Sequence, residues 1–241
     1  KEKKKSDEEK QLEKQFEAAR EYGRLCDEAT RLGTPQPLYD SRMAALAPYA
    51  RGEKRVALHA SNAQTILNAL KFAKEQKLDV VLYGVGEGWK VVDALVREKR
   101  PVVVGPVLAV PSERFDPYDA CYANAAVLAR AGLPFAIESA DRENPRNVAF
   151  HAAMACSYGL PHDEAVRAVT LYAARTLGLD KELGSLTVGK RADVIVTEGD
   201  LLDIRARVDL VFVDGVQQSV KNRQTELYER YKARLERKNS K

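Results

Sequence analysis

Val56-Ala-Leu-His59, Asp79-Val-Val-Leu-Tyr83, Pro101-Val-Val-Val104 and Pro134-Phe-Ala-Ile137 are four short apolar runs spaced along one stretch of the chain. Each is followed by a segment with helical periodicity. After the first, Ser61 or Asn62 is placed to cap a helix whose inward face is Ile66, Leu70 and Ala73. After the second, Val92, Leu95 and Val96 form the inward face, and after the third Asp116-Pro117 reads as an N-cap and a first-turn proline. Two helices, over roughly 145–158 and 162–177, are expected after the fourth. Runs that are apolar on both faces belong to a parallel sheet covered by helices, since a sheet wet on one face alternates apolar with polar. The fold class is therefore α/β, and a doubly wound sheet or part of a barrel would satisfy the pattern equally.

Outward from this repeat the character changes on both sides. Residues 1–32 mix both charge signs, with Leu12, Phe16, Ala19, Tyr22 and Leu25 at helical spacing, and predict a mostly exposed helix ending near Gly33. Thr34-Pro-Gln-Pro is a linker, and a short helix is expected over Ser41 to Tyr49. Beyond Gly178 the chain turns to short strands and turn residues. These are Gly184-Ser-Leu-Thr-Val-Gly-Lys-Arg-Ala-Asp-Val-Ile-Val-Thr197 and Val208-Asp-Leu-Val-Phe-Val-Asp-Gly215. Residues 221–241 carry eight Lys or Arg against three Glu, with Leu227, Tyr231 and Leu235 on one narrow stripe. That pattern predicts a helix that docks on its own protein or on a neighbouring subunit rather than a nucleic-acid arm.

At 241 residues and 45% hydrophobic the chain can bury a sizeable core. Its longest apolar stretches fall short of the roughly 18–20 residues needed to span a bilayer. Cys26, Cys121 and Cys156 are odd in number and widely spaced, which fits neither a zinc motif nor a disulfide framework. The chain opens at Lys1 in a charged run and reads as part of something longer, so its compartment stays open.

The stretch from Glu164 to Gly215 resembles the amidohydrolase superfamily. The resemblance rests on Glu164-Ala-Val-Arg-Ala-Val-Thr170, Ala173-Ala-Arg175, Leu177-Gly178, the Gly184 to Val196 segment with Ala192-Asp193, Gly199-Asp200-Leu201 and Val211-Phe-Val-Asp-Gly215, all in order. It implies the last helix of a (β/α)8 TIM barrel followed by strands of a small β-sandwich. The four upstream units then become barrel strands five to eight. Four segments follow: a charged helical part over 1–50, the barrel half over 51–180, sandwich strands over 181–220 and a basic helix over 221–241.

The resemblance also assigns a site. His59, at the end of its run, is similar to the family's strand-five metal ligand, because sites of such barrels lie at the C-terminal ends of the strands. The alternative is a histidine hydrogen-bonded to backbone. Gly84 falls where the strand-six histidine belongs, and Ala140 where the strand-eight aspartate belongs. Asp141, one residue later, is the candidate catalytic carboxylate, and Glu138 lies two residues earlier. His151 and His162 sit on helices and read as structural. Gly84-Val-Gly-Glu-Gly88 lacks the spacing of a dinucleotide loop.

The resemblance implies a hydrolase of non-peptide carbon–nitrogen bonds, imidazolonepropionase-like or dihydroorotase-like, acting on a small cyclic or linear amide with Zn2+ or another divalent metal. A hydrolytic zinc site needs three protein ligands and a group to handle the proton of water, and the sequence offers fewer. A catalytically inactive relative that binds a ligand or partner is the second expectation, with no metal. The expected partners are a small molecule, the missing N-terminal half of the same protein and further copies in a homo-oligomer, with neither nucleic acid nor membrane.

Overall fold

The computed structural model describes residues 7–140 and 145–239. The four apolar runs form β1 (Val56–His59), β2 (Val80–Tyr83), β3 (Val102–Val104) and β4 (Phe135–Ile137). They make one sheet in chain order, every neighbouring pair parallel. Three helices connect them: α3 (Ala63–Glu75), α4 (Val92–Glu98) and α5 (Ala120–Arg130). After β4 come α6 (Val148–Ser157), α7 (His162–Val169) and α8 (Leu171–Leu177). The expected inward faces pack as read: Ile66, Leu70, Ala73 and Leu95 are buried, and Asn62 forms a reciprocal capping box with Thr65.

One face of the sheet is dry. Leu82, Val102, Val104, Phe135 and Ile137 join Leu128, Ala152 and Ala165 from the helices in one core. A second cluster closes the N-terminal side, where Phe16 and Ala19 of α1 (Asp7–Leu32) meet Ala50 of α2 (Ser41–Ala50), Leu78 and Val80. Arg20 ties these helices together by donating to the carbonyls of Ala50 and Gln76.

Beyond α8, β5 (Val194–Glu198), β6 (Arg207–Val213) and β7 (Val216–Gln218) form a separate antiparallel sheet, as the change of pattern at Gly178 anticipated. Its outer strands β5 and β7 are edges among the described residues. Leu202, in the β5–β6 connection, sinks into the core of the parallel sheet and holds the two sheets together. Among the described residues no helix is long and apolar enough to cross a membrane.

The structure corrects four local readings. Asp116-Pro117 does not open α5, because Lys90 takes the Asp116 carboxylate at 2.7 Å and the helix starts at Ala120. The segment expected as one helix over 162–177 breaks at Thr170, whose backbone (φ −128°, ψ −91°) is not helical. Residues 184–193 form turns rather than a strand. The basic helix α9 (Arg223–Asn239) does not bury its stripe on this chain, with Tyr231 55% and Leu235 61% exposed.

Candidate functional site at the C-terminal ends of the parallel strands

In a parallel sheet, registered residues share a face and alternate residues return to it. The ladder sets His59 beside Tyr83, Tyr83 beside Val103, and Val103 beside Ala136. This row lies on the face opposite the dry core. Glu138 follows Ala136 by two and remains in the ladder, its N–H donating to the Val104 carbonyl at 2.9 Å. His59, Tyr83 and Glu138 therefore come to one face at one end of the sheet. In the sequence they are separated by tens of residues.

Tyr83 links the other two. Its ring lies edge-on to the His59 imidazole with centroids 5.1 Å apart, and its hydroxyl and the N–H of Gly84 stand near the Glu138 carboxyl, where both favour the charged form. Burial pushes the Glu138 carboxyl up to about 7, against the lowering pull of these two donors. Its Oε1 is buried with no hydrogen-bond partner among the described residues. A buried carboxylate oxygen left without a donor is costly and marks a place where a proton or a ligand group belongs.

Two glycines make room for this arrangement. Gly84 has φ 75°, and a Cβ built on it would lie 2.6 Å from His59 Nε2. A Cβ on Gly105 would lie 2.5 Å from Glu138 Cγ. Position 84 thus packs backbone directly against the imidazole, and the space a strand-six histidine would occupy is already filled by His59.

The loops around the row are pinned. Glu87 accepts from the N–H of Ala63 at the start of α3 and from the Ser112 hydroxyl, and Lys90 bridges Glu87 (3.1 Å) and Asp116 (2.7 Å). Burial works to raise the Glu87 carboxyl, but hydrogen bonds from Ser112, Ala63 and Lys90 outweigh it and hold it below its ordinary range. Asn124 accepts from the Trp89 N–H and donates to the Val85 carbonyl. His151 is buried, and its Nδ1 accepts the N–H groups of Val107 and Leu108, which makes it the structural residue the sequence suggested.

Of the residues singled out from the sequence, His59 stands at the strand end on the open face. Asp141 lies outside the described residues, and Ala140, just before it, adopts φ 52°. His162 opens α7 and holds Asp200 at 2.8 Å, joining the helices to the β5–β6 turn. Tyr83 was not foreseen as a site residue; the signal that finds it is the strand register. Among the described residues no three His, Cys, Asp or Glu side chains come close enough to hold a metal ion. With His59 packed on Gly84, the donors present do not fit a three-ligand zinc site.

Comparison with known proteins places this architecture. Residues 123–221 match the amidohydrolase family. The amidohydrolase tasK of Hapsidospora irregularis is 37% identical over 75 residues, 31% of this chain and 8% of that protein. Imidazolonepropionase from Shewanella frigidimarina is 42% identical over 64 residues, 26% of this chain and 14% of that enzyme. The solved structure of an amidohydrolase from Thermotoga maritima superposes on 89% of this chain with a TM-score of 0.80 and 27% identity. The chain spans 56% of that structure and smaller shares of both curated relatives. Signature and architecture agree: the chain carries the amidohydrolase family's pattern over residues 123–221 and is similar in fold to a solved amidohydrolase.

Proposed function

We propose that the chain is the C-terminal half of an amidohydrolase barrel, β1–β4 being strands five to eight and β5–β7 part of the small sandwich, and that it serves hydrolysis of a carbon–nitrogen bond in a small cyclic or linear amide of the imidazolonepropionase-like kind. The observation that carries this reading is the convergence of His59, Tyr83 and Glu138, with a partnerless Oε1, on one face at the strand ends. Amide hydrolysis removes a proton from the attacking water and delivers one to the departing nitrogen. A carboxyl held at about 7 is divided between its two forms near neutral pH, so Glu138 suits both tasks. Tyr83, near that carboxyl, favours its charged form and seats the His59 ring. The residues present do not fit a three-ligand metal site, so no step here uses a metal.

A second reading is favoured by one specific observation. Gly84 and Ala140 stand where the resemblance expects ligands, and no side chain fits at position 84 beside His59. This is what a relative that binds a small molecule without turning it over would show. Assay of the intact protein against imidazolones, dihydropyrimidines and linear amides, with parallel metal analysis, separates the two. Turnover lost at least a hundredfold in Glu138→Gln supports the hydrolase. Saturable binding without turnover supports the binding protein, and turnover unaffected by Glu138→Gln would sink the assigned role. A homo-oligomer is part of the proposal and is read by light scattering.

A further inference from the structure

At the opposite end of the parallel sheet, where α4 and α5 turn into β3 and β4, a cleft of about 370 Å3 opens between those turns and the end of α8. Its size lies in the range of small-molecule sites. The walls are apolar, with Val96, Leu133 and the Tyr172 ring, and three cations stand around them: Lys99, Arg100 and Arg175. The side chains of Lys99 and Arg100 have no hydrogen-bond or ion-pair partner among the described residues. Among the described residues Arg175 has no carboxylate either, and its guanidinium stacks 5.6 Å from the Tyr172 ring centre.

The neighbouring acids are already engaged. Glu98 faces Lys74 and Arg97, and Glu164 holds Arg167 and the Tyr172 hydroxyl. The end carbonyls of α8, which would repel an anion, are covered because Arg55 donates to the carbonyls of Thr176 (2.7 Å) and Arg175 (3.5 Å). What remains is an apolar cleft with a surplus of positive charge and planar guanidinium donors that suit a carboxylate.

We infer that this cleft binds a small organic anion with an apolar body, of the aromatic carboxylate class, at a site separate from the His59 row. The charge alone would take any anion; the apolar walls and the Tyr172 ring favour one whose body is greasy and flat.

Calorimetric titration of the intact protein with benzoate, inorganic phosphate and benzyl alcohol tests this. Benzoate should saturate one site, with phosphate and benzyl alcohol each at least tenfold weaker. Arg100→Gln combined with Arg175→Gln should weaken benzoate at least tenfold, and Glu138→Gln should leave it unchanged, which separates this cleft from the strand-end row. If the double variant melts at a lower temperature, Arg100→Gln alone is read, with at least a threefold loss expected. Absence of saturable benzoate binding, phosphate binding as tight as benzoate, or affinity unchanged in the arginine variants would overturn the inference.

Discussion

Replacing Gly84 by alanine should do more than strain a turn. A left-handed backbone costs a non-glycine residue about 1–2 kcal/mol, and here the added Cβ also meets His59 Nε2 at 2.6 Å. Urea denaturation should show Gly84→Ala destabilised beyond the backbone cost, and the excess should vanish in a His59→Ala background, because the clash then has no partner. An equal cost in both backgrounds would mean that His59 is not packed there. Glu138 gives a pH prediction whose sign follows from its raised value. Between its ordinary 4.5 and about 7 the folded protein keeps this proton while the unfolded chain has lost it. Stability from this group is therefore present below about 4.5, falls as pH rises toward about 7 and is flat above. Glu138→Gln should remove that decline, read as the difference in melting temperature between wild type and variant across the window. Taking the difference cancels His162, which both proteins share and whose charged form Asp200 also favours. His59 was legible at this scale because a strand-end histidine within a family pattern is a local signal. The influence of Tyr83 on Glu138 was not, because it joins residues that only the fold makes neighbours.

At the scale of elements, the loop after β3 is held by one side chain of α6. His151 Nδ1 accepts two backbone N–H groups, Val107 at 3.1 Å and Leu108 at 3.3 Å, so it must be the unprotonated nitrogen. His151→Leu keeps the bulk but leaves both donors without that acceptor, at roughly 1–3 kcal/mol for each buried group. A loss of about 2–6 kcal/mol on that basis, with faster amide exchange at positions 107 and 108, is expected; unchanged exchange there would remove His151 from this role. The helices themselves were readable from spacing, as Ile66, Leu70 and Ala73 show. Their starts were less so. Asp116 has the chemistry of an N-cap, yet Lys90, 26 residues away in sequence, competes for it and wins. An ion pair with a distant residue is invisible to any local rule.

For the whole molecule, the question is how the two sheets are joined. Leu202 is 6% exposed and belongs to the main core although it lies in the connection of the small sheet. Leu202→Ala should cost about 2–4 kcal/mol as a buried leucine truncation. Hydrogen exchange should show protection in β5–β7 falling more than in β1–β4. Equal loss in both sheets would show that Leu202 supports the core without acting as the tether.

The sequence by itself determined the α/β class, the four parallel strands in chain order, the presence of a later unit of short strands and His59 at a strand end. Apolar runs, helical spacing and turn residues are local properties that survive in a linear reading. Only the tertiary structure decided that Tyr83 and Glu138 share a face with His59, that Gly84 packs on the imidazole, and that Lys99, Arg100 and Arg175 gather around one cleft. Those relations depend on strand register, burial and the meeting of distant turns, and each is set by packing across the chain rather than along it.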